Sequence, residues 1–245
     1  MPSLKILPLI LLLLLVSYDA TVTQGKSIKS RKAVNSSPSR PATTAEDDNT
    51  RGLKEVLLNG TLSAVKSLGR DGGFLKNLRV KIPMPKSLQP VEKTLRFVGQ
   101  GRVADDFIAA MNHAAEKAVP VAIDVFKDSI KQMTFNDARN IIRGQDDAAT
   151  QFFRRTSEKR LTEKFLPIVQ KFTEQVGVTA QYKKMVEQSG PIARLAGRDA
   201  VDIDEYVTQK ALDGLFLLIA DEEKRIRRDP LARTSDLLKI IFGRR

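Results

Sequence analysis

The sequence predicts an all-α fold: one multi-helix, bundle-like domain with short loops, over residues 51–245, behind a signal peptide (1–25) and a disordered basic and polar tail (26–50). Three observations predict it. From Arg51 onward apolar residues recur at helical spacing, convincing two-residue alternation is scarce, and proline and glycine fall between the periodic segments. Short links between successive helices favour a bundle of neighbours packed side by side.

The leader comes first. Residues 6–16 are almost pure Leu, Ile and Val, with Lys5 before them and a polar stretch after. A run of eleven apolar residues is too short to cross a bilayer, which takes about 20. It fits the centre of a cleaved secretory signal, and the expected location is secreted or periplasmic, with no transmembrane helix after cleavage. Ala20 and Gly25 offer alternative cleavage sites, and no Cys follows that could carry a lipid anchor. Residues 26–50 are rich in Ser, Thr, Lys and Arg, with Pro38 and Pro41, and hold too few large apolar residues to bury a core.

The helices follow in order. Leu53, Val56, Leu57, Ala64, Val65 and Leu68 form the first stripe, and Arg70-Asp71-Gly72-Gly73 ends it. Lys81-Ile82-Pro83-Met84-Pro85 is expected to be extended, because two prolines forbid a continuous helix. Ser87 is the expected cap of the next helix, with Pro90 in its first turn. Phe107, Met111, Ala115 and Ala118 share one face of the helix after it. Pro120 restarts the chain over residues 121–133. Thr134 and Asp137 make a capping-box-like start for a short helix that stops at Gly144. Asp146 or Asp147 opens a long helix whose stripe stays in phase across Pro167, which predicts a kink instead of a break. Tyr182 and Met185 mark a short helix. Asp202 or Asp204 caps a long one through Arg228, apolar on most sides over residues 212–220 and so expected to be central. Pro230 stops it, and Thr234 or Ser235 caps a final helix to Phe242 and Gly243.

Composition bounds function. With no Cys there is no disulfide, no thiolate metal site and no thiol nucleophile, so the core must suffice alone. The formal charge is +12, and Lys5 and Asp19 cancel, so cleavage leaves it unchanged. Such a balance suits an anionic surface. Sequence-specific nucleic-acid binding is disfavoured by three Tyr, no Trp and the export signal. Asn35-Ser36-Ser37 and Asn59-Gly60-Thr61 match the N-glycosylation pattern, which matters only in a eukaryotic host.

Several stretches agree in order with one family: Gly52-Leu53-Lys54-Glu55-Val56-Leu57, Val80-Lys81-Ile82-Pro83-Met84-Pro85, Val98-Gly99-Gln100-Gly101, Asp137-Ala138-Arg139, Gly144-Gln145-Asp146-Asp147-Ala148-Ala149-Thr150 and Lys210-Ala211-Leu212-Asp213-Gly214-Leu215-Phe216. Over residues 52–243 the chain resembles a mainly bacterial exported helical family of unknown function, domain of unknown function 4197. The resemblance implies a helical exported domain and brings no catalytic residues with it.

Four constellations bear on chemistry. Gly99-Gln100-Gly101-Arg102-Val103-Ala104 matches the dinucleotide fingerprint, with Asp124 at the distance of a ribose-binding acid. A helix stop followed by a helix start explains it better, since one βαβ unit makes no sheet, and no cofactor is expected. His113 shares a helix face with Asp106 and Lys117; it reads as a general base oriented by an acid, or more simply as a solvated histidine. Asp199, Asp202, Asp204 and Glu205 offer hard oxygen ligands for Ca²⁺, although acids also belong at helix starts. Arg154, Arg155, Lys159, Arg160 and Lys164 form a basic run suited to phosphate or sulfate, or to solvent with Glu158 and Glu163 in partial pairing.

The expected function is an exported binding module for an anionic surface, a partner protein or an apolar ligand. The alternative is a hydrolase whose carboxylates come together from separate helices, with Ca²⁺ as one option.

Overall fold

Three long helices meet at the centre of the molecule, and each owes its place to an apolar stripe. The computed structural model describes residues 42–175, 177 and 202–228. The leader, the tail up to residue 41 with Asn35, the Tyr182 helix, Asp199 and the final helix from Thr234 or Ser235 lie outside the described residues. All described residues belong to one compact unit, Arg40–Arg245.

The helices are α1 (Ala42–Leu68), α2 (Gln89–Phe97), α3 (Gly101–Ala118), α4 (Ala122–Gln132), α5 (Phe135–Arg143), α6 (Ala148–Gln175) and α7 (Ile203–Arg228). Short 3₁₀ turns, Lys86–Leu88 and Val119–Val121, precede α2 and α4. Among the described residues there is no β-strand, and no helix is long and apolar enough to cross a membrane. The fold is all-α, as the periodicity predicts.

Helices α3, α6 and α7 pack against one another; α1 lies on α4, α5 and α7, and α2 lies on α3. Ala110, Ala114, Ala115 and Ala118 of α3 are buried, and their small side chains permit close helix approach. Phe126 of α4, Phe153 of α6 and Phe216 of α7 form an aromatic knot, with Phe126 to Phe153 centroids 4.9 Å apart and Phe126 to Phe216 centroids 6.3 Å apart, edge to face. The central role expected for residues 212–220 holds, since Leu212, Leu215, Phe216 and Ile219 are all buried.

Local signals explain most boundaries. Thr134 and Asp137 make the full capping box of α5, and Gly144 closes that helix. Asp202 caps α7, its carboxylate accepting the Asp204 and Glu205 amides at 2.9 and 3.0 Å. Helix α6 runs unbroken through Pro167, which lies on an exposed face. Two expectations need correction. Helix α1 starts at Ala42, inside the stretch whose polar composition reads as tail. Ser87 does not cap α2: it sits in the 3₁₀ turn with its hydroxyl buried and making no hydrogen bond, and the cap position belongs to Leu88.

Candidate functional site

The segment between α1 and α2 is the most elaborately held part of the surface. Gly72 turns the chain with φ +78°, a conformation side chains resist. A Cβ on Gly73 would stand 2.3 Å from the Leu68 carbonyl oxygen, so only glycine passes there. Phe74 then drops into the core, fully buried. After this turn Val80, Ile82 and Met84 point inward while Arg79, Lys81 and Pro83 face solvent. The segment is strand-like in pattern but is bound by side chains instead of a neighbouring strand.

Three side chains do the binding. Glu116 of α3 is only 1% exposed, and its Oε1 accepts the backbone amides of Phe74 at 3.0 Å and Leu75 at 3.1 Å. Asn112, one turn earlier and fully buried, accepts the Ile82 amide and donates to the Ile82 carbonyl, both at 2.8 Å, as a strand neighbour would. Its amide also donates to the Ile108 carbonyl. The Tyr206 hydroxyl of α7 donates to the Pro83 carbonyl at 3.1 Å, and burial pushes its pKa up. On α7 a Cβ at Gly214 would lie 2.8 Å from the Phe74 ring, so the missing side chain admits Phe74 and Val80.

The outward face of this segment is basic. Ser67, Arg70, Asp71, Lys76, Asn77 and Arg79 border an open groove of about 550 Å³. Leu78 stands on its rim, 90% exposed. Arg79 pairs in bidentate fashion with Asp221 of α7, and Lys117 lies 3.6 Å from Asp71. Arg70, Lys76 and Lys81 are exposed and carry no ion pair among the described residues.

His113 has an acid partner, but not Asp106. Its Nδ1–H donates to Glu116 Oε2 at 2.8 Å, while Asp106 stands 3.9 Å from Arg102. The imidazole is therefore oriented by a buried carboxylate and is 41% exposed. No hydroxyl or second carboxylate is hydrogen-bonded to it among the described residues. This pair steadies the loop's clamp and lacks the nucleophile of a catalytic triad.

The other sequence candidates take structural places. Asp202 spends its carboxylate capping α7, and Asp204 Oδ1 accepts the Thr173 hydroxyl at 2.7 Å. Glu205 stands beside them in the first turn of α7. Among the described residues no three His, Cys, Asp or Glu side chains gather as a metal site. In the basic run of α6, Arg154 pairs with Glu158 at 3.2 Å and covers the Phe216 ring, Arg155 reaches within 4.0 Å of Asp137, and Arg160 pairs with Asp128 at 2.7 Å. Lys159 and Lys164 are exposed on the same helix. The glycines of the dinucleotide-like stretch link two helices: Leu95, Arg96 and Phe97 end α2, Gly99 has φ +77°, and Gly101 starts α3.

Sequence reasoning missed a second buried carboxylate. Glu223 of α7 accepts the Ala149 amide at 2.8 Å and both the Thr150 amide and hydroxyl at 2.9 Å, so it caps α6 from another helix. Arg227 neutralises it at 2.8 Å and donates to the Ile141 carbonyl at 2.7 Å. The pair borders a mainly apolar cavity of about 30 Å³ among α1, α5, α6 and α7. A signal for such residues does exist. Asn112 and Glu116 follow Ile108 at four-residue spacing, a polar row beside an apolar stripe.

No curated protein and no solved structure matches the chain. A family described as protein of unknown function (DUF4197) matches residues 43–243, which takes in the clamped loop, Asn112, Glu116, Glu223 and Arg227. The chain belongs to this family, DUF4197.

Proposed function

We propose that this chain is an exported binding module that docks on an anionic surface through residues 69–81, and that it performs no chemistry. The observation that carries this is the contrast between the two sides of the loop. Beneath, Glu116 and Asn112 hold its backbone. Above, Arg70, Lys76 and Lys81 are left for an external anion. A preformed basic loop binds without the ordering cost a flexible one would bear. Three cations near an anionic bilayer contribute about 1 kcal/mol each, enough for weak, reversible attachment. The apolar leader of residues 6–16 supports export.

The hydrolase alternative has less to stand on. Glu116 and Glu223 are the buried carboxylates of the described helices, and each is saturated by different backbone amides, Phe74 and Leu75 for one and Ala149 and Thr150 for the other. They do not converge on a shared cavity. An apolar ligand is likewise ill served by a cavity of about 30 Å³, room for a few water molecules at most.

The test is sedimentation with vesicles of anionic or neutral lipid at rising salt. Binding to the anionic vesicles that weakens steeply with salt supports the proposal. Absent or salt-independent binding both to these vesicles and to heparin overturns it.

A further inference from the structure

We infer that the anionic surface is a lipid bilayer and that Leu78 enters its apolar layer; this rests on the docking role proposed above for residues 69–81. Among the described residues two large apolar side chains stand 90% exposed, Leu78 and Phe97. Their surroundings differ. Around Phe97 most charges are matched: Arg96 bonds Glu92 at 3.0 Å and Asp105 at 2.6 Å, and Arg102 lies 3.9 Å from Asp106, which leaves Lys93, one turn earlier, without an ion pair among the described residues. Around Leu78 they are not. Among the described residues Asp71 has Lys117 beside it and Asp221 has Arg79, which leaves Arg70, Lys76 and Lys81 in excess.

An exposed leucine flanked by unmatched cations fits one kind of partner better than others. A polysaccharide or a nucleic acid satisfies the cations but leaves Leu78 in water. A bilayer of anionic lipid satisfies both at once, with phosphates at the level of the cations and acyl chains just below. The clamp matters here as well. Phe74 is anchored in the core and Ile82 is gripped by Asn112, so the chain between them is pinned on both sides of Leu78.

The chain has no Trp, so a tryptophan at one position reports its own surroundings. The full chain carrying Leu78→Trp, and a second carrying Phe97→Trp, are mixed with phosphatidylglycerol vesicles that contain brominated acyl chains. Emission at position 78 is expected to shift to the blue and be quenched, with position 97 unchanged. Leu78→Ser is expected to bind these vesicles about tenfold more weakly and heparin as tightly as the parent chain. Leu78 is exposed, so circular dichroism is expected to show these variants folded. Vesicle binding without a blue shift at 78, or an unchanged vesicle affinity for Leu78→Ser, overturns insertion and leaves the docking role standing. Salt-sensitive binding to heparin but not to vesicles overturns the bilayer as partner. Binding to neither overturns both.

Discussion

The Glu116 carboxylate accepts the backbone amide of Phe74 at 3.0 Å, across 42 residues of sequence. With the Leu75 amide on the same oxygen and His113 on the other, one buried side chain positions the start of the basic loop. Burying a carboxylate is costly unless charged or polar donors surround it, and here three do.

Replacing that carboxylate separates its charge from its geometry. Glu116→Gln keeps an acceptor for both amides and turns a donor toward His113 Nδ1, which accepts in its other tautomer. The expected loss is about 1 kcal/mol. Glu116→Ala orphans two amides and is expected to cost about 2–4 kcal/mol. Urea unfolding at pH 7 measures both. Equal losses would mean that the hydrogen bonds are not what matters.

Gly214→Ala sets two effects against each other. Alanine gains about 1 kcal/mol of helix propensity over glycine. Its Cβ would press the Phe74 ring at 2.8 Å and the Val80 Cβ at 3.2 Å, and overpacking of this kind costs about 1–3 kcal/mol. The expected outcome is a lower melting temperature, recovered in part when Phe74→Leu is added. A higher melting temperature would show that the loop yields easily.

Burial separates two arginines at the end of α7. Arg227 is enclosed with Glu223, whereas Arg228 pairs with Asp146 at the surface. Arg227→Met leaves Glu223 charged and under-paired, and is expected to cost about 3–5 kcal/mol. Arg228→Met is expected to change stability little, because water screens that pair. Denaturant midpoints of the two variants check the contrast.

Acid weakens the start of α5. The Thr134 hydroxyl donates to Asp137 at 2.6 Å and, with the Thr134 amide, holds the Asp137 carboxyl below the usual carboxylate range. A folded pKa below the unfolded one adds stability above the unfolded value of about 3.9, lost as pH falls through the folded value. Thr134→Ala is expected to cost about 1 kcal/mol at pH 7. Asp137→Asn is expected to be less stable than the parent at neutral pH, the gap narrowing below about pH 4. A gap independent of pH would contradict this assignment.

The legible and illegible parts of the chain divide by sequence distance. The box of Thr134 and Asp137 spans one turn, so local chemistry reveals it. Asp202 is readable for the same reason. Glu116, Asn112 and Glu223 act on amides 42, 30 and 74 residues away, and no periodicity encodes which distant amide a carboxylate will meet. His113 shows a subtler limit. Asp106 shares its face but sits seven residues back, about 10 Å along the axis at 1.5 Å per residue, while Glu116 is one turn ahead. Ser87 fails as a cap because the chain tightens into a 3₁₀ turn before α2, which puts Leu88 at the boundary. The early start of α1 shows that a polar composition does not forbid a helix.

Density of basic residues in sequence is a poor guide to free charge at the surface. The run on α6 is dense in sequence, yet Arg154, Arg155 and Arg160 each have an acid within 4.0 Å. Arg70 and Lys76 border one groove because the chain turns at Gly72 and is clamped at Phe74 and Ile82, and Lys81 is exposed at the end of the same segment.

The most direct measurement compares charge reversal at these two places. Arg70→Glu/Lys76→Glu/Lys81→Glu and Lys159→Glu/Lys164→Glu are each titrated against anionic vesicles at low salt. The loop variant is expected to lose affinity by roughly a hundredfold, about 1 kcal/mol for each of three cations, with the α6 variant close to the parent chain. Retained affinity in the loop variant, with loss in the α6 variant, would contradict the account.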